Sequence, residues 1–153
     1  MVHFRVATRA DVPAILRLLA DDDVSRERDG VVPEGVDASY WAAFEAIDAD
    51  PRNELMVAEK DGAVIGTCQL TFTPSLSRRG AERMTIEAVR VRGDLRGRGV
   101  GRAMMLWALE RARERGCRLA QLTTDKRRVD AHRFYESLGF VASHEGMKLA
   151  LDV

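Results

Sequence analysis

Hydrophobic positions recur along this chain in two spacings, and each spacing predicts a different kind of element. Apolar residues three and four apart predict helices over about residues 11–22, 38–49 and 100–115, and another from residue 130. Alternating or continuous apolar runs predict seven strands, which are Phe4–Thr8, Leu55–Glu59, Ala63–Thr73, Met84–Val91, Leu119–Thr123, Phe140–Ala142 and Met147–Leu151. Asp61-Gly62 between two of these strands predicts a tight hairpin.

The order of these elements is β-α-α-β-β-β-α-β-α-β-β. It predicts an α+β fold with a mixed, mostly antiparallel sheet of about six to seven strands and helices on both faces. With 153 residues and no internal repeat, residues 1–153 are expected to form a single domain.

The charge balance narrows the possible partners. Lys plus Arg and Asp plus Glu number 24 each, so the net charge gives no reason to expect a nucleic-acid partner. No apolar stretch approaches the roughly 20 residues that span a bilayer, and the first residues resemble no secretory signal. We therefore expect a cytoplasmic protein without membrane contact.

Cysteine and histidine residues do not indicate a metal or a disulfide. Cys68 and Cys117 are far apart in sequence and are expected to be reduced, mostly buried thiols, with an acyl-cysteine role unsupported. His3, His132 and His144 lack the spacing of metal ligands, so no metal is expected.

The first candidate binding site is a glycine-rich loop that joins the strand ending at Val91 to the helix near residue 100. The glycines permit close backbone approach to a ligand, and the amides that open a helix attract anions. Arginines surround the loop with only Asp94 opposing them, so we expect phosphate or pyrophosphate to bind there. The residues concerned are Arg90, Arg92, Arg96, Gly97, Arg98, Gly99, Gly101 and Arg102.

Two common phosphate loops do not fit this segment. No Lys-Ser or Lys-Thr follows the glycines, as an ATPase loop requires, and Arg102 occupies the place of the third glycine in the dinucleotide fingerprint. The remaining pattern is Arg96-x-x-Gly99-x-Gly101 after the strand Ile86–Val91. A Gly-rich turn with solvated arginines is the other interpretation.

A second motif runs from Asp130 to Phe140. Asp130 is expected to cap a helix whose apolar face carries Ala131, Phe134, Tyr135 and Leu138, and Gly139 is expected to end it. Two roles stay open for Tyr135, an aromatic at the edge of the core or a residue of the active site.

Together these motifs resemble the GNAT superfamily of acyl-CoA N-acyltransferases. The first resembles R/Q-x-x-G-x-G/A, which cradles the pyrophosphate of acetyl-CoA, and the second resembles A-x-x-x-Y-E-x-x-G-F. The resemblance implies direct transfer of an acetyl group from acetyl-CoA to a primary amine of a small molecule or peptide, through a ternary complex. It implies coenzyme contacts at Val89, Arg90, Val91, Arg96, Gly97, Arg98, Gly99, Val100, Gly101, Arg102 and Tyr135.

The resemblance also implies catalytic roles. The backbone N–H near Val89, on a locally bulged strand, would stabilise the thioester oxygen, while Arg90 and Val91 would pair with the pantetheine arm. Tyr135 would protonate the departing thiolate. Glu87 is our candidate for the base that deprotonates the amine, with an ion pair to an arginine as the alternative. Strand alternation would place Glu87 on the Val89–Val91 face unless the bulge changes it.

One position departs from the family pattern. Arg128 stands where many members carry an Asn that contacts pantetheine, so Asp130 or Arg133 is expected to substitute, or Arg128 to reach a phosphate. The family's acceptor pocket maps to about residues 22–41 and 73–82. The acidic residues Asp21–Asp23, Glu27, Asp29 and Glu34 would attract a cationic amine there, or form a solvated loop. A homodimer is a possible assembly.

Two other functions compete with catalysis. A domain that binds acyl-CoA as a sensor or regulatory module would need neither Tyr135 nor Glu87. A nucleotide-binding regulator is disfavoured by the missing lysine and third glycine.

Overall fold

The computed structural model describes residues 1–21 and 35–151, and its centre is a five-stranded sheet. The strands lie in the order β1-β2-β3-β4-β5. All neighbours are antiparallel except β4 and β5, which are parallel, so the predicted mixed and mostly antiparallel sheet is confirmed. Their bounds are β1 His3–Val6, β2 Asn53–Lys60, β3 Ala63–Thr73, β4 Arg83–Val91 and β5 Leu119–Leu122.

Four helices of eight residues or more are described, and they surround the sheet. Their bounds are α1 Val12–Leu19, α2 Ala38–Ala49, α3 Val100–Glu114 and α4 Val129–Ser137. Three single turns link the elements at Arg9–Asp11, Ser77–Gly80 and Gly93–Leu95. The α2 helix begins where predicted because the Asp37 carboxylate accepts a hydrogen bond from the Ser39 amide at 3.0 Å.

Apolar side chains fill both faces of the sheet. On one face, Met84 and Ile86 of β4 pack with Met104 and Met105 of α3. On the other, Val57 of β2 joins a cluster that includes side chains of α1 and α2, among them Ile15, Leu16 and Phe44. Helices therefore lie on both faces, as the sequence predicts.

The two closing strands are wrong predictions. Neither Phe140–Ala142 nor Met147–Leu151 forms a strand, and the described sheet has five strands rather than six to seven. Residues 141–151 are all exposed. A strand needs a neighbour that satisfies its backbone groups, and no strand within the described chain pairs with this segment.

The start of α4 also differs from the prediction. The helix begins at Val129 with Arg128 as its N-cap, so Asp130 lies in the first turn and does not cap it. The Arg128 amide donates to the Asp125 carbonyl at 2.9 Å, and this turn leads the chain into the helix early. A carboxylate in a first turn still favours the helix dipole.

Candidate active site

The candidate site begins where β4 and β5 separate. Their parallel pairing ends at Ile86 and Leu122, so β4 continues to Val91 without a strand along its β5 edge in the described chain. A strand with one unpaired edge offers backbone N–H and C=O groups to a ligand that can pair like a strand.

A bulge interrupts β4 beside this opening. Gln69 pairs with Glu87 and Thr67 with Arg90, so Ala88 and Val89 together oppose the one residue between, Cys68. Ala88 has a φ of +53°, a left-handed conformation that side chains rarely adopt. The predicted bulge near Val89 is present, although no pattern in the sequence identifies Ala88 as its strained residue.

Backbone direction after the bulge decides which groups face the opening. The Arg92 amide donates to the Ile65 carbonyl of β3 at 2.8 Å, and the Arg90 carbonyl also points towards β3 at Gly66. Because successive residues of a strand alternate, the N–H and C=O of Val91 point towards β5. The Val89 carbonyl lies on the same edge, where the Arg90 side chain reaches it.

Arginine side chains cover the two carbonyls on this open edge. Arg90 Nη1 donates to the Val89 carbonyl at 2.9 Å, and Arg96 Nε donates to the Val91 carbonyl at 3.3 Å. Arg90 therefore enters the opening with its side chain, while its own backbone pairs with β3.

The bulge also sets the face on which Glu87 lies. Gln69 and Thr67 share one face of β3, so their partners Glu87 and Arg90 share that face, and Val89 and Val91 lie on the other. Glu87 is exposed, and no side chain within residues 1–21 and 35–151 forms an ion pair with it. The alternative of a structural ion pair with an arginine has no support in the described residues.

The glycine loop leads from β4 into α3 with the backbone that the sequence predicts. Gly97 and Gly99 have φ of +77° and +85°, and Gly99 is the N-cap of α3. The first intrahelical bond joins the Ala103 amide to the Gly99 carbonyl at 3.0 Å. The amides of Val100, Gly101 and Arg102 precede that bond, so they lie free of the helix ladder at its positive end.

The arginines around the glycine loop differ in whether they form ion pairs. Asp94 binds Arg92 through two contacts of 2.7 and 3.1 Å, and this pairing lowers the pKa of the Asp94 carboxyl. Arg96 Nη2 lies 3.5 Å from the Asp21 carboxylate, a contact that sequence reasoning missed. Arg98 and Arg102 have no ion-pair partner among the described residues, so the loop keeps cationic groups available.

Tyr135 lies against the same opening. Its ring packs edge-on against Phe134 at 5.2 Å and Phe140 at 6.0 Å between centroids. Burial raises the pKa of the phenol, while the nearby cations of Arg90 and Arg128 act to lower it, and Cys68 adds to the rise. The hydroxyl is therefore half-buried, protonated at neutral pH and close to residues of β3, β4 and the start of α4.

The remaining predicted residues lie in different surroundings. Arg128 is half-buried near Tyr135, whereas Asp130 and Arg133 are exposed on α4. Gly101 fits closely, because a Cβ there would lie 3.6 Å from both Phe134 and Val91.

Burial raises the pKa of the Cys68 thiol to about 12, which opposes an acyl-cysteine role.

The predicted acceptor pocket is described only in part. Residues 22–34 lie outside the described residues, and with them Asp22, Asp23, Glu27, Asp29 and Glu34. The segment 73–82 lines a cavity of about 210 Å³ with the starts of β4 and β5.

Within residues 1–21 and 35–151, no helix is long and apolar enough to cross a membrane, and no group of three acidic, His or Cys side chains could hold a metal.

Comparison with known proteins agrees with this geometry. The profile of the acetyltransferase (GNAT) family matches residues 14–140. Aminoalkylphosphonate N-acetyltransferase of Salmonella typhimurium is 35% identical over 106 residues, which cover 69% of this chain and 68% of that enzyme.

Solved structures share the fold over the whole chain. A chain from Bacillus halodurans C-125, described as a transcriptional regulator, is 48% identical with a TM-score of 0.95 and covers 99% of this chain and 100% of its own. A predicted acetyltransferase from Clostridium acetobutylicum, solved with acetyl-CoA, is 19% identical with a TM-score of 0.74 and covers 98% of this chain and 96% of its own. Because the family profile covers most of the sequence, the chain belongs to the acetyltransferase (GNAT) family of acetyl-CoA-dependent N-acetyltransferases.

Proposed function

We propose that this protein transfers the acetyl group of acetyl-CoA directly to a primary amine of a small molecule or peptide, in a ternary complex at the β4 bulge. The observation that carries the proposal is the open edge of β4. It runs from the bulge at Val89 to the glycine loop, and Tyr135 lies beside it. One ligand with a strand-like arm and a pyrophosphate fits both ends of this edge.

The loop would bind the pyrophosphate. Three free amides at the start of α3 supply hydrogen-bond donors, and Arg98 and Arg102 supply charge. Arg96 is held at Asp21 and Val91, so it would turn from these contacts or anchor the loop from where it lies. The amides of the pantetheine arm would pair with the edge groups of Val89 and Val91.

The residues around the bulge would then supply a base, a hydrogen-bond donor for the thioester oxygen, and an acid. Glu87 would accept the proton of the alkylammonium, whose ordinary pKa near ~10 leaves it unreactive at neutral pH. The Val89 N–H would donate to the thioester oxygen as negative charge develops there. Tyr135 would give its proton to the sulfur as the C–S bond breaks, and its raised pKa keeps that proton available.

The two proton-transferring groups belong on opposite sides of the reacting carbon. Glu87 shares the Arg90 face of β4, and Tyr135 packs with the cluster on the other face. An amine approaching from the Glu87 side would therefore expel a thiolate on the Tyr135 side. This division keeps base and acid apart within one small site.

Distance argues against the cavity beside segment 73–82 as the place where a small amine reacts. Val89 lies six positions after Arg83, which lines that cavity, and six positions span about 20 Å along a strand. The acceptor site is better placed on the Glu87 face of β4.

The first test is release of CoA thiol from acetyl-CoA in the presence of a panel of amines. The panel holds aminoalkylphosphonates, amino sugars, amino acids, polyamines and peptides. We expect at least one amine to be acetylated, and Glu87→Gln to lower kcat at neutral pH by roughly 10²–10⁴-fold, with partial recovery at high pH where the free amine is abundant. Glu114→Gln changes an exposed carboxylate at the C-terminal end of α3, so it is the matched control and should keep full activity.

A regulatory module that binds acyl-CoA without turnover is the second candidate. The description of the Bacillus halodurans chain as a regulator favours it. The Glu87 carboxylate lies beside the bulge with no ion pair among the described residues, and this favours catalysis. Tight acetyl-CoA binding with no acetylated product from any amine would support the regulatory module and contradict an acetyltransferase role.

A further inference from the structure

The cavity beside segment 73–82, called here the β4–β5 cavity, lies away from the proposed acetyl-transfer site. It opens at the starts of β4 and β5, and Arg83 in its lining lies about 20 Å along the strand from Val89. Its volume of about 210 Å³ is smaller than the roughly 300–1,000 Å³ of pockets that enclose drug-sized ligands. The cavity therefore suits a small ligand, or one group of a larger ligand.

Two cationic side chains line the β4–β5 cavity. Arg83 is half-buried and Arg78 is exposed, and neither side chain forms an ion pair or a hydrogen bond within the described part of the chain. A charge that is partly removed from water is usually paired, because its lost hydration is otherwise uncompensated. Both guanidinium groups are therefore available to an anionic ligand.

The carboxylate in the lining does not neutralise these cations. Glu82 accepts a hydrogen bond from Arg115 Nε at 2.5 Å, and Arg115 lies outside the lining. Because the charge of Glu82 is balanced by Arg115, the β4–β5 cavity keeps the positive charge of Arg78 and Arg83.

Neutral hydrogen-bond donors line the same space. The Ser75 and Ser77 hydroxyl oxygens lie 2.6 Å apart, so one hydroxyl proton joins them and the other remains available to a ligand. The Gln121 side chain donates one N–H to Thr85 Oγ1 at 3.1 Å and carries a second N–H. Cations together with hydroxyl and amide donors are the groups that bind oxyanions.

The backbone of the cavity wall is strained at the same place. Arg78 and Arg79 have φ of +52° and +61°, a left-handed conformation that residues with a Cβ rarely adopt. Strain of this kind concentrates at binding sites, where it fixes the direction of a side chain. Here Arg78 lines the β4–β5 cavity, whereas its neighbour Arg79 does not.

We propose that the β4–β5 cavity binds a doubly charged oxyanion of the size of phosphate, through Arg78 and Arg83. The ligand is either a free phosphate ion or the phosphoryl group of a small phosphomonoester. Each guanidinium presents paired N–H groups that match two oxygens of such an anion. A dianion balances both cations, whereas a monocarboxylate leaves one of them unmatched. The site is separate from the glycine loop and does not depend on the proposed acetyl transfer.

Titration with inorganic phosphate at constant ionic strength, followed by backbone amide chemical shifts, tests the proposal. We expect saturable changes at the amides of residues 75–83 and 119–121. Arg83→Gln should weaken this binding by about tenfold or more, since hydrogen bonds to charged groups are strong enough for that loss. Arg79→Gln removes an equal charge beside the β4–β5 cavity, and affinity should stay within about twofold because exposed charges outside the lining are screened.

Three results would overturn the proposal. They are changes confined to residues 97–102, changes that never saturate, and equal phosphate affinity in the Arg83→Gln and Arg79→Gln proteins. The map of the wild type decides the first two even if Arg83→Gln does not fold. No coenzyme or amine is present, so the outcome is independent of the proposed function.

Two further probes identify the charge and the source of the ligand. Acetate should bind more weakly than phosphate, and equal affinity would reject a site for a dianion. Glycerol 3-phosphate that binds more tightly than inorganic phosphate would assign the β4–β5 cavity to a phosphomonoester. Tighter binding of inorganic phosphate would assign it to the free ion.

Discussion

Ala88 adopts an unfavourable backbone conformation at the bulge in β4, in the middle of the candidate site. An L-residue in the left-handed region loses about 1–2 kcal/mol, and glycine would avoid that cost. The bulge that Ala88 creates moves Glu87 to the opposite face of β4 from Val89. Strain at one residue thus separates the proposed donor for the thioester oxygen from the proposed base.

Tyr135→Phe tests the proposed acid at the same scale. The change keeps the ring contacts with Phe134 and Phe140 and removes only the hydroxyl. We expect kcat to fall by roughly 10²–10⁴-fold while CoA affinity changes little, because the proton is needed only as the thiolate leaves. Steady-state kinetics with a true acceptor and calorimetry of CoA binding measure the two quantities.

The dependence of the rate on pH provides a second test of Tyr135 as the acid. Since burial raises the phenol pKa, the wild-type rate should decline only well into alkaline pH, and the variant should lose that decline. Ser137→Ala removes an exposed hydroxyl from the same helix and should leave both kcat and the profile unchanged. Near-full kcat in Tyr135→Phe across pH would mean that water protonates the thiolate.

At the scale of elements, we propose that the glycine loop and the start of α3 together form one anion site. Gly99→Val forces a β-branched side chain into φ +85° and blocks close approach of a pyrophosphate. We expect CoA affinity to fall by about tenfold or more, which is ~1.4 kcal/mol of binding free energy. Calorimetry checks the affinity, and circular dichroism checks that the fold survives.

Gly116→Val is the matched control for this loop. Gly116 follows the other end of α3 with a φ of +83° and open space around it, so the strain is similar and the site is distant. This variant should lose stability but keep CoA affinity. An equal loss of affinity in both variants would show that the loop acts only through stability.

Elements with a strong local pattern were predictable, and the site's fine geometry was not. Asp61-Gly62 and the alternation around it suffice for β2 and β3, and the α2 bounds match the predicted 38–49. The failures depend on distant partners. Met147–Leu151 has a strand pattern but pairs with no strand among the described residues, and nothing local in Ala88 signals a bulge that the pairing of β4 with β3 creates.

For the whole molecule, the separation of β4 from β5 organises the function. It opens an edge between the glycine loop at one end and the bulge at the other, while helices on both faces hold the sheet rigid. In the proposed mechanism, the loop, the open edge and Tyr135 would recognise three different parts of one coenzyme.

A map of backbone amide chemical shifts on titration with acetyl-CoA tests this arrangement most directly. We expect the largest changes at Val89, Val91 and the amides of residues 100–102, with ATP and magnesium giving smaller changes. The amides of α2 residues 42–49, on the far face of the sheet, should be almost unaffected. Changes that leave Val89 and Val91 untouched, or a stronger response to ATP, would contradict a coenzyme site between β4 and β5.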